Sequence, residues 1–125
     1  MTRFTRRRFL RRVAAGVAVG PVLSGRRAFA ANEQVHLACI GVGGKGASDL
    51  AETSVGHHVV ALCDVDPQRL AQAAAKFPQA QTYTDWRKLL ELPGIAAVTV
   101  SVPDHMHAPI TMPALQLGKH VFTQK

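Results

Sequence analysis

The chain has 125 residues, 47% of them hydrophobic, and a formal net charge of +7. Eight arginines and no acidic residue fall within the first 30 positions, leaving 7 Lys+Arg against 8 Asp+Glu in the rest, so the body is close to neutral. That balance excludes the basic surface of a nucleic-acid binder, the apolar content excludes intrinsic disorder, and no run reaches the roughly 20 apolar residues of a stable membrane-spanning helix.

The chain opens with Thr5-Arg6-Arg7-Arg8-Phe9-Leu10-Arg11, continues through a mildly apolar run from Val13 to Leu23 broken by Gly16, Gly20 and Pro21, and reaches Ala28-Phe29-Ala30. A basic start, an apolar run too short to span a bilayer and small residues spaced for a peptidase make up a signal peptide, with cleavage predicted after Ala30. The segment resembles the twin-arginine export signal of bacteria, Ser/Thr-Arg-Arg-x-Phe-Leu-Lys, and departs from it only at Arg11. That resemblance implies passage through the twin-arginine translocase, already folded and with cofactor bound, to the periplasm or another extracytoplasmic site. Residues 1–30 are thus expected to be the signal and 31–125 the domain.

Val35 to Ile40 is a short, mostly apolar run ending in glycines, the pattern of a strand buried on both faces of a parallel sheet. After the glycines, Ala47 to Thr53 predicts a helix with Ala47, Leu50 and Ala51 on one face. His58 to Cys63 predicts the second strand, with Asp66 as N-cap and Pro67 at the first position of the next helix. Leu70, Ala73, Ala74 and Phe77 share that helix's apolar face, and Pro78 ends it. Ala80 to Tyr83 predicts a third strand, Thr84 a cap for a helix burying Trp86, Leu89 and Leu90, and Ile95 to Val102 a fourth strand. A last helical stretch runs to Leu117 and Gly118, but Pro113 falls inside it, which predicts either a start near Met112 or a kink. His120-Val121-Phe122 begins a fifth strand. Cys39 and Cys63, each within an apolar strand, are expected to be buried free thiols.

Strands alternating with helices at this spacing predict an α/β fold, a doubly wound parallel sheet with right-handed crossovers. Gly41-Val42-Gly43-Gly44-Lys45-Gly46 fits G-x-G-x-x-G between the first predicted strand and its helix. There Gly41 makes the tight turn, Gly43 admits the backbone to a pyrophosphate, and Gly46 allows close helix packing. Gly44 and Lys45 complete the turn at the helix N-terminus, whose free N–H groups attract anions without needing the Lys45 ammonium. At the end of the second strand Asp64 is placed to accept hydrogen bonds from an adenosine ribose and to repel a 2′-phosphate, which favours NAD over NADP. Asp104, His105 and His107 supply too few ligands for a zinc shell and read as polar lining of the cofactor cleft. His36, His57 and His58, near strand ends, read as surface or structural residues.

These residues together resemble the Gfo/Idh/MocA oxidoreductases. The motifs that match in order are Gly41 to Gly46, Asp64, Tyr83-x-Asp85-Trp86 with Leu89-Leu90, Pro103-x-x-x-His107, and Ala114-Leu115-x-x-Gly118-Lys119-His120-Val121-Phe122-x-Gln124-Lys125. The resemblance covers residues 35 to 125 and implies a Rossmann NAD-binding domain, with Pro103 and His107 at the cofactor. It also implies that Lys125 is catalytic, beside the nicotinamide and the reacting sugar carbon; Gln124 stands where the family usually has glutamate. It further implies a sugar or polyol substrate oxidised or reduced by hydride transfer, a second domain beyond Lys125 that would make this chain an incomplete N-terminal part, and a homo-oligomer when full length. Two alternatives follow: an NAD-dependent glycoside hydrolase of the same family, or a non-catalytic fragment or sensor.

Overall fold

The computed structural model describes residues 34–124; the signal-like segment and Lys125 lie outside them. Within that span, strands β1 (His36–Ile40), β2 (His58–Cys63), β3 (Gln81–Tyr83), β4 (Ala97–Val100) and β5 (His120–Thr123) alternate with helices α1 (Lys45–Thr53), α2 (Pro67–Lys76), α3 (Trp86–Leu90) and α4 (Asp104–Gln116). All neighbouring strands are parallel, in the order β3-β2-β1-β4-β5. The chain steps outward from β1 to β3, returns across the sheet and steps outward again from β4 to β5. This is the doubly wound arrangement that the alternation predicts.

Successive strand residues point to opposite sides, so a sheet covered on both faces has two apolar layers. Leu37, Cys39, Val59 and Leu62 meet Leu50 of α1 with Leu70 and Ala73 of α2. Ala38, Ile40, Ala61, Cys63, Val98 and Val100 meet Leu89 and Leu90 of α3 with Ile110 and Ala114 of α4. A bulge reconciles β2 with this division. Leu37 pairs with Val59 but Ala38 with Ala61, so Val60 is the extra residue, and Val59 and Leu62, three apart, share one face. Cys39 and Cys63 are buried free thiols in opposite layers. Burial pushes Cys39 up to about 11; burial, with the nearby Asp64 and Asp85 charges, pushes Cys63 up to about 12. Among the described residues no helix is long and apolar enough to cross a membrane.

Two local expectations are corrected, and of the two readings of the last helix the start near Met112 is excluded. Helix α1 starts at Lys45 and buries Gly46, Asp49 and Leu50, while Ala47 and Ala51 stay exposed. Close packing of Gly46 on the Gly41 carbonyl sets the helix's rotation and carries Asp49 inward. The cap of α3 is Asp85, whose carboxylate accepts from the Arg87 amide at 3.0 Å, one residue beyond Thr84. Helix α4 begins at Asp104 and continues through both Pro109 and Pro113. Burial of Ile110 and Ala114 against the sheet offsets the hydrogen bonds those prolines cannot donate.

Candidate cofactor site

Where a doubly wound sheet reverses direction, the loops after the two diverging strands part and leave a crevice at the strands' carboxyl ends. Here that point lies between β1 and β4. A cavity of about 390 Å³ opens there, lined by Gly41 and Gly43, by Asp64 and Val65 after β2, by Ser101 to Pro103 after β4, and by Trp86, His105 and Met106.

The glycine turn is built by contacts that leave no room for side chains. Gly41 has φ +81°, and a Cβ there would lie 2.1 Å from the Ser101 carbonyl oxygen; one on Gly46 would lie 2.0 Å from the Gly41 carbonyl oxygen. These two glycines seat α1 on the ends of β1 and β4. At Gly43 the nearest atoms belong to the flexible Arg69 side chain, which lies across the turn from the start of α2. Gly44, at φ +56°, caps α1 without a side-chain bond. The turn's amides divide into two groups. Val42 N–H donates to Asp64 Oδ2 at 2.9 Å, whereas the amides of Gly43, Gly44 and Lys45 bond to nothing among the described residues. Three donors at a helix N-terminus remain for an anion.

Asp64 is buried, and its Oδ1 also accepts from the Asp66 amide at 2.9 Å. A carboxylate has about four acceptor positions; among the described residues two of them are taken, which leaves two for a ribose diol. The same side chain thus braces the turn after β1 against the loop after β2.

Asp49 was not singled out by the sequence reading. It is 1% exposed, its Oδ1 holds the Lys45 ammonium, and its Oδ2 accepts from the Ser101 hydroxyl at 2.7 Å. The Lys45 and Ser101 hydrogen bonds keep its carboxyl below the usual carboxylate range, and the bond to Asp49 raises Lys45 in turn. Lysine and aspartate four apart on a helix are neighbours, so the pair was present in the sequence as a signal. Ser101 gave none. Arg69, also missed, pairs with Asp66 at 3.4 Å.

The other predicted positions separate. Pro103 caps α4 and lines the cavity, as does His105. His107 does not line it: its Nδ1 hydrogen-bonds with the Thr123 hydroxyl, tying α4 to the end of β5 two residues before Lys125. His107 Nε2 and the Thr111 hydroxyl are buried with no hydrogen-bond partner among the described residues.

A parallel sheet with a glycine turn at its switch point, helix-end amides facing the crevice and a carboxylate ending the adjacent strand defines a dinucleotide-binding domain. The chain belongs to the Gfo/Idh/MocA oxidoreductase family: the family model described as an NAD-binding Rossmann fold matches residues 35–125. Among curated relatives, a glycosyl hydrolase family 109 protein of Stenotrophomonas maltophilia is 36% identical over 126 residues, covering 90% of this chain and 28% of its own. A levoglucosan dehydrogenase of Pseudarthrobacter phenanthrenivorans is 33% identical over 64 residues, covering 51% of this chain and 16% of its own. Among solved structures, the myo-inositol dehydrogenase of Lactobacillus casei in complex with NAD(H) and myo-inositol aligns with TM-score 0.68 and 33% identity, over 74% of this chain and 29% of that one. The chain therefore spans less than a third of the length of each of these proteins.

Proposed function

We propose that this chain is the cofactor-binding part of an exported NAD-dependent oxidoreductase acting on a hydroxyl of a sugar or polyol. The observation that carries the proposal is the glycine turn whose Gly43, Gly44 and Lys45 amides have no partner among the described residues while Asp64 accepts from the Val42 amide at 2.9 Å. Bound NAD supplies the hydride acceptor or donor. The turn's amides hold the diphosphate, Asp64 takes the adenosine ribose hydroxyls, and its charge disfavours a 2′-phosphate. Pro103 shapes the cleft, and His107, through Thr123, holds the strand that leads to Lys125. Lys125 moves the substrate hydroxyl proton. Family membership and the polyol and sugar dehydrogenases among the relatives support the substrate class.

Export by the twin-arginine route follows from Arg6-Arg7 and the apolar run after them, with the folded domain carrying its cofactor to the periplasm. Nicotinamide extracted in stoichiometric amount from full-length protein recovered from the periplasm is the expected result; active periplasmic enzyme with neither bound nicotinamide nor affinity for it defeats the assignment. An R6K/R7K variant should remain in the cytoplasm.

One observation favours a second outcome at the same site. The match to the family 109 glycosyl hydrolase covers 90% of the chain, reaching into the segment before residue 35. Product analysis separates the two: a hydrolase releases reducing sugar with no net change in NAD, whereas a dehydrogenase changes NAD one for one with product.

A further inference from the structure

Lys45 is the one cation within the G-x-G-x-x-G turn, and its place at the first position of α1 makes it the obvious charge to offer a diphosphate. Its ammonium instead sits on Asp49, one helical turn further on. Nothing local requires a carboxylate there. Asp49 is the fifth residue of α1, beyond the first turn where the helix dipole favours an acid, and it occupies the inward face beside Leu50. A buried charge persists only where partners compensate it. Among the described residues Asp49 has two: Lys45, whose side chain is half-exposed, and the Ser101 hydroxyl after β4. Ser101 in turn is the residue against which Gly41 and Gly46 pack. The carboxylate is thus anchored from below, and the lysine is drawn to it from the rim.

We propose that Asp49 is a positioning residue that withholds the Lys45 charge from the dinucleotide, leaving the diphosphate to be bound by the amides of Gly43, Gly44 and Lys45. The inference rests on the NAD-binding assignment and deepens it. A turn whose cation is cancelled in place binds a diphosphate through short-range hydrogen bonds, which ionic strength screens little, whereas a free ammonium adds a longer-range attraction that salt removes. Selection among dinucleotides then falls to Asp64, with no unpaired lysine at the turn to reward additional phosphate.

The test is the salt dependence of NAD affinity in full-length protein stripped of nicotinamide, measured by calorimetry between about 0.02 and 0.5 M NaCl. Wild type should vary by less than about twofold across that range. D49N keeps the shape and an acceptor for Ser101 but frees Lys45; it should bind NAD about three- to tenfold more tightly at low salt, a gain that disappears at high salt. Adding K45M to D49N should abolish the gain. A D49N protein with wild-type fold and no salt-dependent gain overturns the proposal, as does a gain that survives K45M. If D49N does not fold, K45M alone still decides, because the Arg69 cation across the turn is common to both proteins: K45M with the NAD affinity and salt dependence of wild type is expected, and a K45M loss of affinity at low salt that disappears at high salt shows that the lysine charge is engaged and overturns the proposal. Wild type with no NAD affinity at any salt defeats the underlying assignment, which distinguishes that failure from this one.

Discussion

At the residue scale, the glycines of the turn and two aspartates make the site, and they can be probed by their own physics. A methyl group on Gly46 would have to displace the Gly41 carbonyl, a backbone atom without freedom to yield. Gly46→Ala should therefore cost on the order of 2–4 kcal/mol in chemical denaturation and abolish NAD binding, whereas Gly44→Ala, with open space around its Cβ but a backbone at φ +56° and ψ −121° that L residues avoid, should cost about 1–3 kcal/mol. Asp49 gives a pH signature. Its carboxyl lies lower in the folded than in the unfolded chain, so its contribution is complete above the ordinary aspartate pKa of about 4 and is lost as pH falls through the lower folded value. Stability measured against pH should accordingly fall less steeply below pH 4 in D49N than in wild type. The role of Asp64 as brace was not legible, because the Val42 amide that it accepts lies 22 positions away and reaches it only once β1 and β2 are paired.

At the element scale, strand and helix types and order follow from the chain's own periodicities, and what shifts is phase and boundary. Thr84 and Asp85 both suit an N-cap, and only the backbone path decides between them: Asp85 is extended, with its carboxylate on the Arg87 amide. Asp85→Ala should cost about 1 kcal/mol and Thr84→Ala no more than about 0.5 kcal/mol by urea titration. Helix α4 shows why a local rule fails. Its two prolines oppose helix by local propensity, yet Ile110 and Ala114 come to rest on the sheet and hold the segment helical. The rotation of α1 was hidden for the same reason: apolar spacing alone points to Ala47 and Ala51, while the Gly46–Gly41 contact turns Asp49 and Leu50 inward.

At the scale of the whole molecule, the two layers on either side of the sheet bury both cysteines and leave the crevice at the strand ends open to a ligand. Raised thiol pKa values and burial make native Cys39 and Cys63 slow toward a thiol reagent at neutral pH; two thiols should react promptly only after denaturation. Binding confined to the folded state adds stability by mass action. NAD at 100 times its dissociation constant should therefore stabilise stripped full-length protein by about 2.7 kcal/mol, seen as a rise in melting temperature that a non-binding Gly46→Ala variant lacks.

Alternation of apolar runs with amphipathic stretches, and a glycine hexapeptide between the first two, determined on their own a parallel doubly wound sheet and the place where a dinucleotide would sit. These are signals of short range, carried by residues within a few positions of one another. Which amides of the turn stay open, which carboxylate braces it, and that a lysine at its rim is held by a buried aspartate were decided by tertiary structure alone. Each of those facts depends on β1, β2 and β4 lying side by side, bringing Asp64 and Ser101 to the glycines from 22 and more residues away.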